Sequence, residues 1–178
     1  WLSNRYGGKI ILGIAVLWWS AFTMLTPLAA LISLPILIAT RILMGMGEAA
    51  MFPASYALYG RWVPESERSR AVALLIGGIP LGTLFALSTT GWIVTQYGWP
   101  SVFYLFGASG VIWVFIWWLK ATNTPQESPN ISAQELALLK DNEPTRDGDP
   151  DIPWRQLLTT PAIWALTVNH FCSNWGFY

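Results

Sequence analysis

Three stretches of this chain carry no Asp, Glu, Lys or Arg: Ile10 to Thr40, Ala71 to Leu119, and Gln156 to Tyr178. A hydrocarbon core about 30 Å thick is crossed by roughly 20 helical residues, so these runs hold one, two and one spans in turn. A further span fits between Pro35 and Gly60. The runs are continuously apolar rather than alternating, which indicates helices, because in lipid each backbone group must be satisfied within its own segment. With 53% hydrophobic and only 11% charged residues, the composition is that of a membrane protein. Ten basic and ten acidic residues cancel, so no net charge advertises nucleic acid or an acidic partner.

Turn chemistry divides the runs. The first span, about residues 10–26, is expected to end at "TPLAALISLP", where Pro27 stops one helix and Pro35 starts the next. "QYGWP" brings Gly and Pro together within the long run, so the chain is expected to fold back there. The predicted helices are therefore about 10–26, 35–60, 71–95 and 100–119, with a last one opening at Pro161. Trp1 is not preceded by Met and the last helix is still running at Tyr178, so a fragment is expected. Cys172 stands alone, which excludes an internal disulfide.

Loop charges set the orientation. Arg5 and Lys9 precede the first span, Arg61, Arg68 and Arg70 lie between the second and third, and Lys120, Lys140, Arg146 and Arg155 follow the fourth. The other two connections carry no charge. Nine of the ten basic residues thus share one side, the cytoplasmic one by the positive-inside rule. Residues 120–160 are polar, Pro-rich and acidic, and read as a cytoplasmic loop between two bundles. Within it Ser132 and Glu135 have the spacing of a capping box, and "PWRQLLTTP" has the makeup of an interfacial segment. On that side the sequon Asn130-Ile131-Ser132 is silent.

The tenth basic residue is Arg41, which shares the second span with Glu48 in "RILMGMGE". Seven residues at 100° each return to within about 20° of the start and rise about 10 Å. The two side chains therefore share a face but are too far apart to pair directly. A charge within a span costs at least ~2.5–3.5 kcal/mol on insertion scales and by default marks function. Arg is a permanent planar fork for carboxylate or phosphate, and a carboxylate in low dielectric can load and release a proton. Together they suit an anion-binding cavity coupled to a cation. The plainer alternative is that both are structural, or that Arg41 snorkels to the outer surface. "GMGEAA" matches a dinucleotide-binding pattern, but without a preceding strand the match is chance. Gly45, Gly47, Ala49, Ala50 and Ala54 give the same helix a small-residue face. Gly78 and Gly82 suggest close packing in the third predicted helix, and Trp18, Trp19, Trp117 and Trp118 suggest interfacial belts.

"WLSNRYGGK" resembles the loop signature Gly-x-Leu-(Ala/Ser)-Asp-Arg-x-Gly-x-(Lys/Arg) of the major facilitator superfamily. "RILMGMGEAAMFPA", "RWVPESERSRA", "GWPSVFYLFG" and "PAIWALTVNHFCSNWGFY" together are similar to its anion:cation symporter branch, the group of vesicular glutamate, sialin, sodium-phosphate and plastid phosphate transporters. The resemblance runs along the whole chain. It implies an all-α multi-pass membrane protein with a partial major facilitator fold: the end of helix 2 through helix 6 (residues 1–119), the central loop (120–160) and the start of helix 7 (161–178). It implies Arg41 as the anion ligand and Glu48 as the group coupling H+ or Na+. Asn4, Arg5, Gly8 and Lys9 fall on the loop signature that latches the two halves, with Arg61 a candidate partner. Asn4 replaces the signature's Asp and carries no charge. Ser173 stands where vesicular glutamate transporters have a second Arg, which argues against glutamate and towards a sugar acid or phosphate-type anion. His170 is a proton or substrate ligand, or equally a buried His bonded to a neighbour.

The expected function is secondary active transport of an organic or inorganic anion by alternating access, with no cofactor besides the coupling ion, a lipid bilayer as surroundings, and a monomer as the working unit. An uncoupled anion channel and a membrane-embedded enzyme using Glu48 and His170 are the alternatives. No catalytic nucleophile or metal-ligand cluster is evident in the sequence.

Overall fold

A computed structural model describes residues 2–139 and 153–177. Lys140, Arg146 and the middle of the expected central loop lie outside the described residues. The chain divides into two compact units, Trp1–Pro144 and Thr145–Tyr178. The first holds α1 (Leu2–Tyr6), α2 (Gly8–Ile32), α3 (Leu34–Glu48), α4 (Met51–Trp62), α5 (Arg68–Tyr97), α6 (Pro100–Lys120) and α7 (Ala133–Leu138). The second holds α8 (Trp154–Thr159) and α9 (Pro161–Phe177). Among the described residues, four helical stretches are long and apolar enough to cross a membrane: Gly8–Ile32, Leu34–Trp62, Glu65–Tyr97 and Pro100–Lys120.

Helix α2 runs straight through Pro27 to Ile32, beyond the stop that turn chemistry suggested at residue 26. Within a span there is no water to reward an open backbone, so a Pro that forfeits one hydrogen bond is cheaper to keep than a broken helix. Pro27 is among the largest fully buried side chains. The chain instead turns at Ser33, whose backbone is extended (φ −171°, ψ 158°). Its hydroxyl accepts from the Ile36 amide at 3.4 Å, and Pro35 sits in the first turn that follows.

The second span is one apolar stretch in two helices. Ala49 and Ala50 separate α3 from α4, and the cause lies four residues on from Ala49. Pro53 has no amide to offer the Ala49 carbonyl, and its ring crowds that carbonyl. The ladder tightens locally as the Ala50 amide reaches back to the Gly47 carbonyl at 3.2 Å. Glu48 is thus the last residue of α3, at the break.

Helix α2 is the central post. It packs against α3, α4 and α6, whereas α5 touches its neighbours sparingly. The core joins Leu12 and Val16 of α2 to Ala54 and Leu58 of α4 and Val114 of α6, with Trp19, Trp62 and Trp117 packed around it. Trp19 and Trp117 therefore fill the bundle rather than an interfacial belt. Trp18, by contrast, is exposed and donates its indole N–H to the Leu43 carbonyl of α3 at 2.7 Å.

Tight glycine contacts are not where the spacing of Gly78 and Gly82 suggested, since a Cβ on either would meet no atom within 4 Å. A Cβ on Gly107 or Gly110 of α6 would strike Met24 or Ser20 of α2, and one on Gly47 would lie 2.5 Å from Trp18. These three, with Gly8 of α2, rather than the pair in α5, let helices approach closely.

The capping box forms at α7. The Ser132 hydroxyl accepts from the Glu135 amide at 3.2 Å, and the Glu135 carboxylate accepts from the Ser132 amide at 3.1 Å. In the second unit, Trp164 of α9 donates to the Leu158 carbonyl of α8 at 2.7 Å, while Trp154 and Leu158 remain exposed.

Candidate functional site

The residues of α3 that face α2 can be read from their contacts. Leu43 accepts from Trp18, Met44 Sδ accepts from the Thr23 hydroxyl at 3.5 Å, and Gly47 lies against Trp18. Arg41, Gly45 and Glu48 sit about 100° round the helix from Thr40, Met44 and Gly47, and all three are exposed. Gly45 has no atom within 4 Å of where its Cβ would be. Arg41 and Glu48 therefore form one stripe on the open side of the unit, as their spacing predicted.

At the upper end of that stripe Arg41 borders a hollow of about 520 Å³, lined by Thr26 and Ala30 of α2, Leu37, Ile38 and Ile42 of α3, and Trp99 and Phe103. The hollow lies beside the two charge-free turns, at Ser33 and at Gly98-Trp99. Apart from Arg41 its walls are apolar or aromatic, and the one hydroxyl, that of Thr26, is occupied by the Phe22 carbonyl at 2.9 Å. Arg41 is held from two sides. Its Nη1 is 3.7 Å from Met44 Sδ, and its guanidinium carbon lies 5.3 Å from the centre of the Phe103 ring. Phe103 in turn meets Trp99 edge to face, with centroids 5.9 Å apart. Neither aromatic stood out in the sequence, because only the packing of α3 and α6 on the same helix, α2, brings them to Arg41.

The loop signature lies at the other end of the bundle. Helix α1 packs against α2 and α4. Gly8 was expected to be the signature glycine, but the signature's spacing from Arg5 to Lys9 and the backbone both give that place to Gly7, whose φ of +91° suits glycine. Gly8 instead lets α2 approach α4, since a Cβ there would lie 2.6 Å from Leu58 Cγ and 2.8 Å from the Ala54 carbonyl oxygen. Lys9 is bonded through its backbone. Its amide donates to Asn123 Oδ1 at 3.1 Å, and its carbonyl accepts from Trp117 Nε1 at 3.0 Å. Asn123, just past α6, thus caps α2 from 114 positions away in sequence, and its own amide donates to Glu127 at 3.2 Å. The Arg5 guanidinium lies 5.7 Å from the Tyr6 ring centre. Asn4 is in α1, but its side chain lies outside the described ones. Arg61 is in the last turn of α4, and Arg68 donates to the Gly60 carbonyl at 3.3 Å, tying the α4–α5 turn. His170 and Ser173 belong to α9 of the second unit, where both are exposed.

Chemically, the first unit offers a permanent cation at the rim of an apolar, aromatic-walled hollow and a carboxylate about two turns along the same open stripe. The arrangement can desolvate and grip an anion.

Comparison with known families and proteins matches the Major Facilitator Superfamily model to residues 1–178. The sodium-dependent phosphate transport protein 1 of Arabidopsis thaliana chloroplasts is 44% identical across 98% of this chain and 34% of its own length. The chloroplastic ascorbate transporter of Arabidopsis thaliana is 41% identical, over 98% of this chain and 32% of itself. Human sialin is 35% identical, over all of this chain and 36% of itself. The chain thus spans about a third of the length of the curated relatives it matches.

Proposed function

From the premise that this chain belongs to the major facilitator superfamily, and so to an integral multi-pass membrane protein, we propose that it serves secondary active transport of a small anion driven by H+ or Na+. Arg41 is the anion ligand and Glu48 the coupling carboxylate. The observation that carries this reading is Arg41 itself, a cation that cannot be discharged, set on the open face of α3 against a hollow whose walls are otherwise apolar. An anion entering there trades water for a bidentate partner in low dielectric, where such a bond is strong.

The names of the relatives, which include phosphate and ascorbate transporters, favour transport over catalysis and an inorganic or sugar-acid-like anion as cargo. On this reading His170, in α9 of the second unit, is a further candidate proton or substrate ligand. Alternating access would then expose Arg41 and Glu48 to each side in turn. We take the working unit to be a monomer and the Asn4–Lys9 signature, with Arg61, to be the latch between halves.

The test is uptake by proteoliposomes holding the protein expressed from its complete reading frame, with phosphate, ascorbate and a sialic acid as probes. Arg41→Lys is expected to abolish uptake, because an ammonium keeps the charge but not the planar fork. Glu48→Gln is expected to retain exchange of internal for external anion while losing accumulation against a gradient. Wild-type accumulation by Glu48→Gln, or wild-type flux that ignores both pH and sodium gradients, would sink the coupling role and favour a channel.

A further inference from the structure

The Arg41 hollow contains an arrangement that anion binding alone does not require: an aromatic ring under the guanidinium and a second ring bracing the first. We infer that Phe103 is a positioning residue for Arg41, holding the guanidinium in the orientation in which it grips the anion. This inference rests on the reading of Arg41 as the anion ligand.

A long Arg side chain facing an open hollow has several rotamers to choose from, and fixing it costs rotamer entropy each time an anion binds. A ring face attracts the guanidinium through its negative quadrupole. The Phe103 ring centre is 5.3 Å from the guanidinium carbon, within the range of that attraction. The only hydrogen bond described for Arg41 is the long contact to the Met44 thioether, so the ring supplies the main restraint on the head group. A ring also restrains without competing, because it takes no N–H from the fork. An Asp or Glu in its place would hold Arg41 more firmly but would occupy the donors an anion needs.

The ring itself is fixed. Phe103 lies in the first turn of α6, and Trp99, just before that helix, meets it edge to face at an interplanar angle of 85°. The tight turn at Gly98, with φ +80°, delivers Trp99 to this place. Arg41, Phe103 and Trp99 thus make a row from charge to support to brace, each on the wall of the same hollow.

Replacement of Phe103 by 3,4,5-trifluorophenylalanine in the protein expressed from its complete reading frame tests this directly. Fluorine drains the ring's face of negative charge while leaving its size nearly unchanged. With whichever of phosphate, ascorbate or sialic acid gives the largest uptake, KM is expected to rise about two- to fivefold, the size of one exposed cation–π contact. The maximal rate and the amount of folded protein should stay at wild-type levels. Phe103→Leu should show at least the same rise, and Phe103→Tyr should restore the wild-type KM. A merely packing role would leave KM indifferent to fluorination, and that result, with Arg41→Lys inactive, overturns the positioning role while sparing the anion site. Uptake that survives Arg41→Lys would overturn both.

Discussion

Gly8 and Gly78 sit in different helices of one bundle, and the same substitution, Gly to Ala, is expected to act on them with opposite sign. At Gly8 the new methyl would lie 2.6 Å from Leu58 Cγ, 3.1 Å from Leu58 Cδ2 and 2.8 Å from the carbonyl oxygen of Ala54. Leu58 could yield by changing rotamer, but Ala54 is completely buried in the core and its carbonyl belongs to the α4 ladder. Relief therefore requires moving α4 away from α2. Overpacking of this kind costs about 1–3 kcal/mol. Against it stands the helix preference of Ala over Gly, at most about 1 kcal/mol in a helix interior and less at the first residue of α2. Gly8→Ala should thus destabilise by roughly 1–2 kcal/mol. Gly78 is well inside α5 and its methyl would meet no atom of the chain within 4 Å, so there the propensity gain stands alone and up to about 1 kcal/mol of stabilisation follows. Reversible unfolding in mixed micelles, titrated with dodecyl sulfate and followed by tryptophan fluorescence, measures both. A double variant, Gly8→Ala with Leu58→Ala, should not regain wild-type stability, because the Ala54 carbonyl remains in the way and Leu58 belongs to the core. If Gly8→Ala is neutral, or if the two single variants shift in the same direction, the close approach of α2 to α4 is not what Gly8 serves.

Other consequences can be checked separately. Asn123→Ala removes the acceptor for the Lys9 amide and should cost about 0.5–2 kcal/mol, the range for a lost helix cap; faster amide exchange confined to the first turn of α2 is the expected signature, and unchanged exchange there would refute the cap. At α7, hydrogen bonds from the Ser132 amide and then its hydroxyl hold the Glu135 carboxyl below its ordinary range. A lowered folded-state pKa means that the cap contributes fully above the ordinary carboxylate pKa and is lost as pH falls through the lowered one. Carbon chemical shifts of Ala133–Leu138 should therefore move towards coil values on strong acidification, and should already be shifted at neutral pH in Ser132→Ala; pH-independent shifts would refute the coupling.

Much of the architecture was legible because lipid imposes it. Charge-free runs marked the spans, since burying a charge in lipid carries a large, local solvation cost. Pro27 misled for the same physical reason: its helix-stopping rule holds where water can donate to a freed carbonyl. Pro53 carried a readable signal for the break after Glu48, through the carbonyl four residues before it, which a scan of the span for apolar length passes over. The Arg41–Glu48 stripe was legible because it depends only on helical periodicity. Phe103, Trp99 and Asn123 were not, because each acts across a helix packing that no local pattern encodes. Nor did composition separate Trp18, exposed and bonded to Leu43, from Trp19, packed on the core.

Lys9 offers its amide to Asn123 and its carbonyl to Trp117, and this double tie works as a vernier. A slip of α2 by one residue against α6 would shift the backbone about 1.5 Å along its axis and turn it by about 100°. Both bonds would then fail together, at about 1–3 kcal/mol for each group left buried without a partner. The alignment that Gly107 and Gly110 set by their close fit to Met24 and Ser20 is thus pinned again at the helix end, by a residue whose own side chain takes no part in setting it.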